Sequence, residues 1–171
     1  MTETVSHIAL AKIHSGDLIY QVLPSVQIGV DERNSLWIKS PMSGTEKIQT
    51  NDVVELVSRE EFKWIGRTDF VVNSGGIKLF PEMLEKKTES ILREILAERD
   101  FFYFGAPDEK LGQKLVLYIE SEPENTMAAR ILSQLQNILG KYEVPKEVRF
   151  ISRFIRTPNG KINRVLTSKS I

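Results

Sequence analysis

Cysteine is absent from the 171 residues, and histidine occurs only at His7 and His14. No disulfide or thiolate metal site can form, and two histidines do not make a metal set. This suits a reducing compartment, so a cytoplasmic protein is expected. No stretch approaches the roughly 20 apolar residues that span a bilayer, and neither end shows a basic segment leading into an apolar run. No membrane partner is therefore expected. An excess of one charge is lacking too: 23 Lys and Arg balance 23 Asp and Glu, which argues against a dedicated nucleic-acid binder. What remains, 41% hydrophobic and 27% charged residues, is an ordinary globular composition. The length suffices for one good core or two small ones, and the pattern below favours two.

The charge is unevenly spread. From residue 141 onward eight Lys and Arg face only Glu143 and Glu147. A basic tail on a neutral chain fits a phosphate-bearing ligand, and it equally fits a solvated basic surface.

Residues 18–65 read as short strands, "LIYQV", "VQIGV", "SLWIK", "VVELV" and "EFKWI", separated by turn signals such as "DERNS" and "KSPMSG". In "EFKWI" the alternation puts Phe62 and Trp64 on one face. From Pro81 the period changes, and Leu84, Thr88, Ile91, Leu92, Ile95 and Leu96 recur at helical spacing. Two strands follow, "FFYFGA" and "KLVLYIES". A second amphipathic helix then carries Ile131, Leu132, Leu135, Ile138 and Leu139, with Gly140 expected to end it, and "KEVRFIS" reads as a last strand. The expected fold is α+β: a small, β-rich, barrel-like segment over 1–68, then a compact α+β domain over 69–171 with both helices on one face of a short sheet.

Two features carry chemistry. "RTPNGKINR" at 156–164 sets Lys161 in a turn rich in Pro, Asn and Gly. It is not a phosphate-cradling P-loop, because Ile155 stands where the first Gly of that motif belongs and Ile162 follows the lysine. Between the two regions lies "GRTDFVVNSGGIKLFPEMLE" at 66–85, in which Gly75 and Gly76 fit a hairpin turn or a backbone that a ligand must approach closely.

In order, "TE" at Thr2 and Glu3, "IQTND" at 48–52, the 66–85 stretch and "TPNGKINR" at 157–164 resemble four signatures of the adenylate-forming enzymes. That superfamily comprises acyl-CoA synthetases, peptide-synthetase adenylation domains and luciferases. The Tyr-Gly that normally precedes Thr-Glu is missing, and Asn51 replaces the Gly of the family's Thr-Gly-Asp. The terminal and hinge motifs, about 90 residues apart with an α+β region between, are the specific combination. In loop character, "YQVLPSVQIGVDERNSLWIKSP" and "NSGGIK" look most like the o-succinylbenzoate:CoA ligases of menaquinone biosynthesis.

The resemblance implies a reaction in which a carboxylate attacks the α-phosphate of ATP to give an acyl-adenylate, after which the thiol of CoA takes the acyl group. It gives Lys161 the catalytic role of bridging the two anions. Asp52 and Arg67 would hold the ribose, Thr2 the phosphates and Glu3 Mg²⁺. Asp69 would be the hinge of a mobile lid domain, and Gly75, Gly76 and Lys78 would meet CoA. Asn51 is expected in a turn with positive φ that presents Asp52. The family's phosphate loop, adenine pocket and acyl pocket precede the Thr-Glu segment, so this polypeptide is expected to be inactive alone, with exposed β edges that favour homo-oligomeric pairing. Two alternatives use the same residues: a lid-derived binding module without chemistry, or an RNA-contacting domain using the basic tail and "FFYF".

Overall fold

The computed structural model describes residues 7–11, 18–44 and 46–170, without the side chain of Asn125. The chain divides into two compact units, Met1–Asp69 and Phe70–Ile171. Thr2 and Glu3 lie outside the described residues.

In the first unit six strands form one antiparallel sheet: β1 (Ala9–Ala11), β2 (Ile19–Val22), β3 (Gln27–Val30), β4 (Ser35–Lys39), β5 (Ile48–Leu56) and β6 (Glu61–Arg67). Their order is β1-β2-β6-β5-β4-β3, with β1 and β3 outermost. The core gathers Ile8, Leu36, Ile38, Val54 and Phe62. β5 begins earlier than hydrophobic alternation alone indicates, because "IQTND" is itself strand. Asn51 therefore sits in extended backbone and not in a turn, and it is absent from the described non-glycine residues with positive φ. The expected left-handed Asn51 is thus corrected: strand pairing on both sides of β5 supplies the geometry that a turn was expected to provide.

The second unit opens with a hairpin, β7 (Val72–Ser74) and β8 (Ile77–Leu79), then α1 (Pro81–Leu96), β9 (Phe101–Asp108), β10 (Gly112–Glu120), α2 (Asn125–Gln136), β11 (Glu147–Ile151) and α3 (Arg164–Ser168). β10 is its central strand, antiparallel to β9 along one edge. The other edge is shared by β11, parallel over Val116–Glu120, and β7, which pairs at Gly112. Because side chains alternate across a strand, Leu115, Leu117 and Ile119 face one side and join Leu84, Leu92 and Leu96 of α1 and Ile131 and Leu135 of α2. Val116 and Tyr118 face the other side with Phe102, Ala106 and Phe154. The fold is α+β, with α1 and α2 on one face of this sheet and Phe154 and Ile162 of the C-terminal stretch on the other.

Pro81 occupies the first turn of α1, where its missing N–H costs nothing. α2 stops at Gln136, short of the expected end at Gly140. The apolar period nevertheless runs on, because Leu139 N–H still reaches the Leu135 carbonyl at 2.9 Å and Leu139 stays in the core. Phe102, 1% exposed, stacks on Tyr118 with ring centroids 4.9 Å apart and meets Phe154 edge-on. Phe102 and Tyr103 of the "FFYF" run thus pack the interior, and Phe101 and Phe104 are half-buried beside them.

Candidate active-site groups

On the first unit, antiparallel pairing sets Asp52 directly opposite Arg67. Cross-strand partners point to the same side of a sheet, so the guanidinium lies 3.9 Å from the carboxylate. A bulge between Val53 and Val54 shifts the register so that Trp64 pairs with Val54. That shift carries the indole to Asp52, where Nε1–H donates to Oδ1 at 3.2 Å. Asp52 and Trp64 line a concavity of about 410 Å³ together with Ile8, Tyr20, Leu36 and Phe62. The result is one oriented carboxylate on a mostly apolar, aromatic wall, the usual make-up of a small-molecule site. An ionised carboxylate offers only acceptors and so suits a diol.

Arg67 makes its shorter contact with Asp69, at 2.6 Å. The Asn51 amide donates to the same carboxylate at 3.2 Å, and the Thr68 hydroxyl donates to the Asn51 carbonyl at 3.2 Å. Asn51, the residue that departs from the family pattern, thus tethers Asp69, the last residue of the first unit. Among the described residues no group of three or more His, Asp or Glu is placed to hold a metal ion. Glu3, the expected Mg²⁺ ligand, and Thr2 lie outside them.

In the second unit Lys161 sits at the end of a tight loop. Arg156 and Ile162 form an isolated antiparallel bridge that closes its base. Thr157 N–H donates to the Lys161 carbonyl at 2.8 Å, and Gly160 N–H to the Thr157 carbonyl at 2.9 Å. The Thr157 hydroxyl accepts from the Lys161 N–H at 3.1 Å and contacts the Asn159 side-chain oxygen. Gly160 has φ +81°, a conformation that side chains with a Cβ seldom adopt. Arg156 Nη2 reaches Asp100 at 2.8 Å and Glu120 at 2.6 Å, and Glu120 also accepts the Phe154 N–H at 2.8 Å. The backbone of Lys161 is thereby fixed, while its side chain is exposed and makes no ion pair among the described residues. Thr157 escaped sequence reasoning; its place four residues before Lys161 in a Pro- and Gly-containing turn was the signal available.

Gly75 and Gly76 form the two-residue turn of the β7–β8 hairpin, with φ +59° and +85°. Positive φ at both central positions is the type I′ signature, which suits strand twist and explains the glycine pair without a ligand. Gly75 N–H donates to the Leu111 carbonyl at 2.9 Å, so the hairpin tip is tied to the β9–β10 turn. Nothing lies within 4 Å of where a Cβ on Gly76 would stand. Lys78 is exposed on β8, opposite Asn73.

The basic tail is less available than its composition suggests. Arg149 binds Glu147 in bidentate fashion at 2.6 and 3.1 Å, Lys114 approaches Glu147 at 2.8 Å, and Arg164 binds Glu85 at 2.8 Å. The Arg149 hydrogen bonds, with help from Lys114, hold the Glu147 carboxyl at about 2, well below its ordinary 4.5. With Arg156 also paired, three of the tail's arginines are structural braces and Lys161 is a cation left out of them.

Residues 70–161 match the AMP-binding enzyme C-terminal domain. The chain is 30% identical over 114 residues to the 2-succinylbenzoate–CoA ligase of Enterococcus faecalis, spanning 67% of this chain and 22% of that enzyme. It is 29% identical over 98 residues to the 3-oxocholest-4-en-26-oate–CoA ligase of Rhodococcus rhodochrous, spanning 57% and 17% respectively. The match thus takes in about a fifth of the length of these curated relatives. Among solved structures, the o-succinylbenzoate CoA synthetase of Bacillus subtilis bound to its acyl-adenylate superposes with a TM-score of 0.79 at 20% identity, covering all of this chain and 40% of that one. An AMP-forming acyl-CoA synthetase-like protein of Dyadobacter fermentans gives 0.59 at 37% identity, covering 99% and 49%. With the family's domain spanning more than half of its length, the chain belongs to the AMP-binding enzyme C-terminal domain family.

Proposed function

We propose that this chain is the C-terminal part of an ATP-dependent acid:CoA ligase, and that the protein containing it converts o-succinylbenzoate first to the acyl-adenylate and then to the CoA thioester. The observation that carries the catalytic reading is the Lys161 loop. Joining a carboxylate to the α-phosphate brings two anions together, so the barrier is largely electrostatic. A cation fixed at its base and free at its head stabilises the charge that develops there. A slender ammonium suits a bridge between oxygens of two different groups, where a planar guanidinium would favour a single partner.

Asp52, oriented by Trp64 and Arg67, would accept the ribose hydroxyls of ATP. Glu3 would contribute to holding Mg²⁺, a hard cation that takes one or two carboxylates besides phosphate oxygens, and Thr2 would donate to a phosphate. Asp69 would serve as the pivot between adenylation and thioester formation. Gly75 and Gly76, exposed at a tip without side chains, leave room for the slender arm of CoA, with Lys78 near its phosphates. The preference for o-succinylbenzoate draws support from the Enterococcus relative and the Bacillus structure; ligases named for 3-oxocholest-4-en-26-oate and for medium-chain acyl groups are as similar, which makes other acids the competing reading.

The test is Lys161→Ala in the full-length ligase, assayed separately for the two half-reactions. Acid-dependent ATP–pyrophosphate exchange should fall by about 10²–10³. Thioester formation from supplied acyl-adenylate should persist. Exchange at the normal rate would overturn the assignment, and a preference for another acid over o-succinylbenzoate would replace the substrate alone.

A further inference from the structure

The hinge motif closes on Glu85 and the terminal motif on Arg164, two residues to which the ligase reading assigns neither substrate nor cofactor. They meet: Arg164 Nη2 donates to Glu85 Oε2 at 2.8 Å across 79 residues of sequence. Both side chains are mostly buried, at 17% and 19% exposure. Glu85 lies on α1, and its second oxygen accepts the Tyr103 N–H of β9 at 2.9 Å, so the carboxylate is itself fixed between helix and sheet. Arg164 begins α3, three residues after Lys161, and Asn163 between them donates its N–H to the Ile155 carbonyl at 2.8 Å.

The guanidinium also has two aromatic neighbours. Its Cζ stands 5.0 Å from the Phe70 ring centroid and 5.8 Å from that of Phe102. Nη1 is buried with no hydrogen-bond partner among the described residues. A planar, weakly hydrated cation tolerates such a place because ring faces attract it. Phe70 is the first residue after Asp69. One side chain thus touches the start of the second unit, α1 through Glu85, and the segment bearing Lys161.

We propose that Arg164 is a positioning residue that, through Glu85 and Phe70, locks the Lys161 loop to α1 and to the residue following Asp69, so that these segments turn as one rigid piece. The lock is a claim about this chain alone; its bearing on catalysis rests on the function proposed above. A buried pair that loses one partner leaves an uncompensated charge, so removing either side should release the loop. If Asp69 is the pivot, the lock is what transmits rotation at that pivot to the lysine.

Residual dipolar couplings of the 171-residue chain test this, because they report the orientation of the loop, which a merely stabilising contact would leave unchanged. In the native chain the amides of 81–96 and 156–163 should fit one alignment tensor. In Arg164→Gln and in Glu85→Gln, the couplings of 156–163 should shrink by at least about half and the exchange of those amides should accelerate roughly tenfold, while α1 and β10 keep native values. Arg164→Lys, which keeps the charge but cannot stack as a plane, should fall between. Should Arg164→Gln unfold the unit, Glu85→Gln and Arg164→Lys are read in its place. Native loop couplings in Glu85→Gln, or losses spread evenly over the second unit, would overturn the lock. Neither result touches the ligase reading, which stands or falls with Lys161→Ala.

Discussion

Asp52 in the first unit is gripped by its side chain, with the Trp64 indole at 3.2 Å and the Arg67 guanidinium at 3.9 Å on the same carboxylate. Lys161 in the second unit is gripped only by its backbone, through Thr157 and the closed loop base, and its ammonium has no ion-pair partner among the described residues. The difference is the one that the two roles proposed above call for. A group that binds a ground-state ligand gains from being held still beforehand, since ordering a side chain on binding weakens affinity. A cation that serves a transition state must not be neutralised before charge develops.

The comparison breaks most visibly at its two centres. In the ligase proposed above, Lys161→Ala should lower kcat for adenylation by about 10²–10³ and leave the KM for ATP close to native. Asp52→Ala should do the reverse, raising that KM by tenfold or more, because a charge-assisted hydrogen bond is worth about 1.5–3 kcal/mol. It should also erase any preference for ATP over 2′-deoxy-ATP. If both variants lowered kcat alike with KM unmoved, the division of labour would be wrong.

Smaller effects sharpen each side. Thr157→Val keeps the shape but removes the hydroxyl that accepts the Lys161 N–H, a loss of about 1 kcal/mol that should appear as a roughly fivefold fall in adenylation kcat. Thr157→Ser should restore it. Trp64→Phe keeps an aromatic wall and deletes only the donor to Asp52, so the KM for ATP should rise by a few-fold, about 0.5–1.5 kcal/mol, with kcat unchanged. A kcat effect at Trp64, or a KM effect at Thr157, would place the two residues on the wrong sides.

Local periodicity reached part of this. α1 was legible because Leu84, Thr88, Leu92 and Leu96 recur on one stripe behind a proline, and these are the residues it buries. The Gly75–Gly76 hairpin was legible because few turns place two such residues at both central positions. The pairing of Asp52 with Arg67 and the approach of Trp64 were not, since register in β5–β6 depends on a bulge that no local pattern announces. Nor was the fate of the basic tail, two of whose arginines find carboxylates far away in sequence: Asp100 and Glu120 for Arg156, and Glu85 for Arg164. Charge counted along the chain says little about charge once the chain has folded.

The mildest prediction separates a brace from a free cation by titration. Glu147 is held at about 2 by Arg149 and Lys114. A carboxyl whose folded value lies below its unfolded one contributes stability that is fully present above the ordinary value, near 4.5, and fades as the pH falls toward 2. Glu147→Gln should therefore lower the urea midpoint of the chain by a constant small amount at neutral pH. That deficit should shrink through the acid range and vanish near the folded value. The side chain is about a third exposed, so salt should reduce the deficit as well. Lys161→Gln, which removes a cation that braces nothing, should leave the midpoint unmoved at every pH. A deficit at Glu147 that grew on acidification, or one at Lys161 that followed the same curve, would mean that the two cation classes had been assigned the wrong way round.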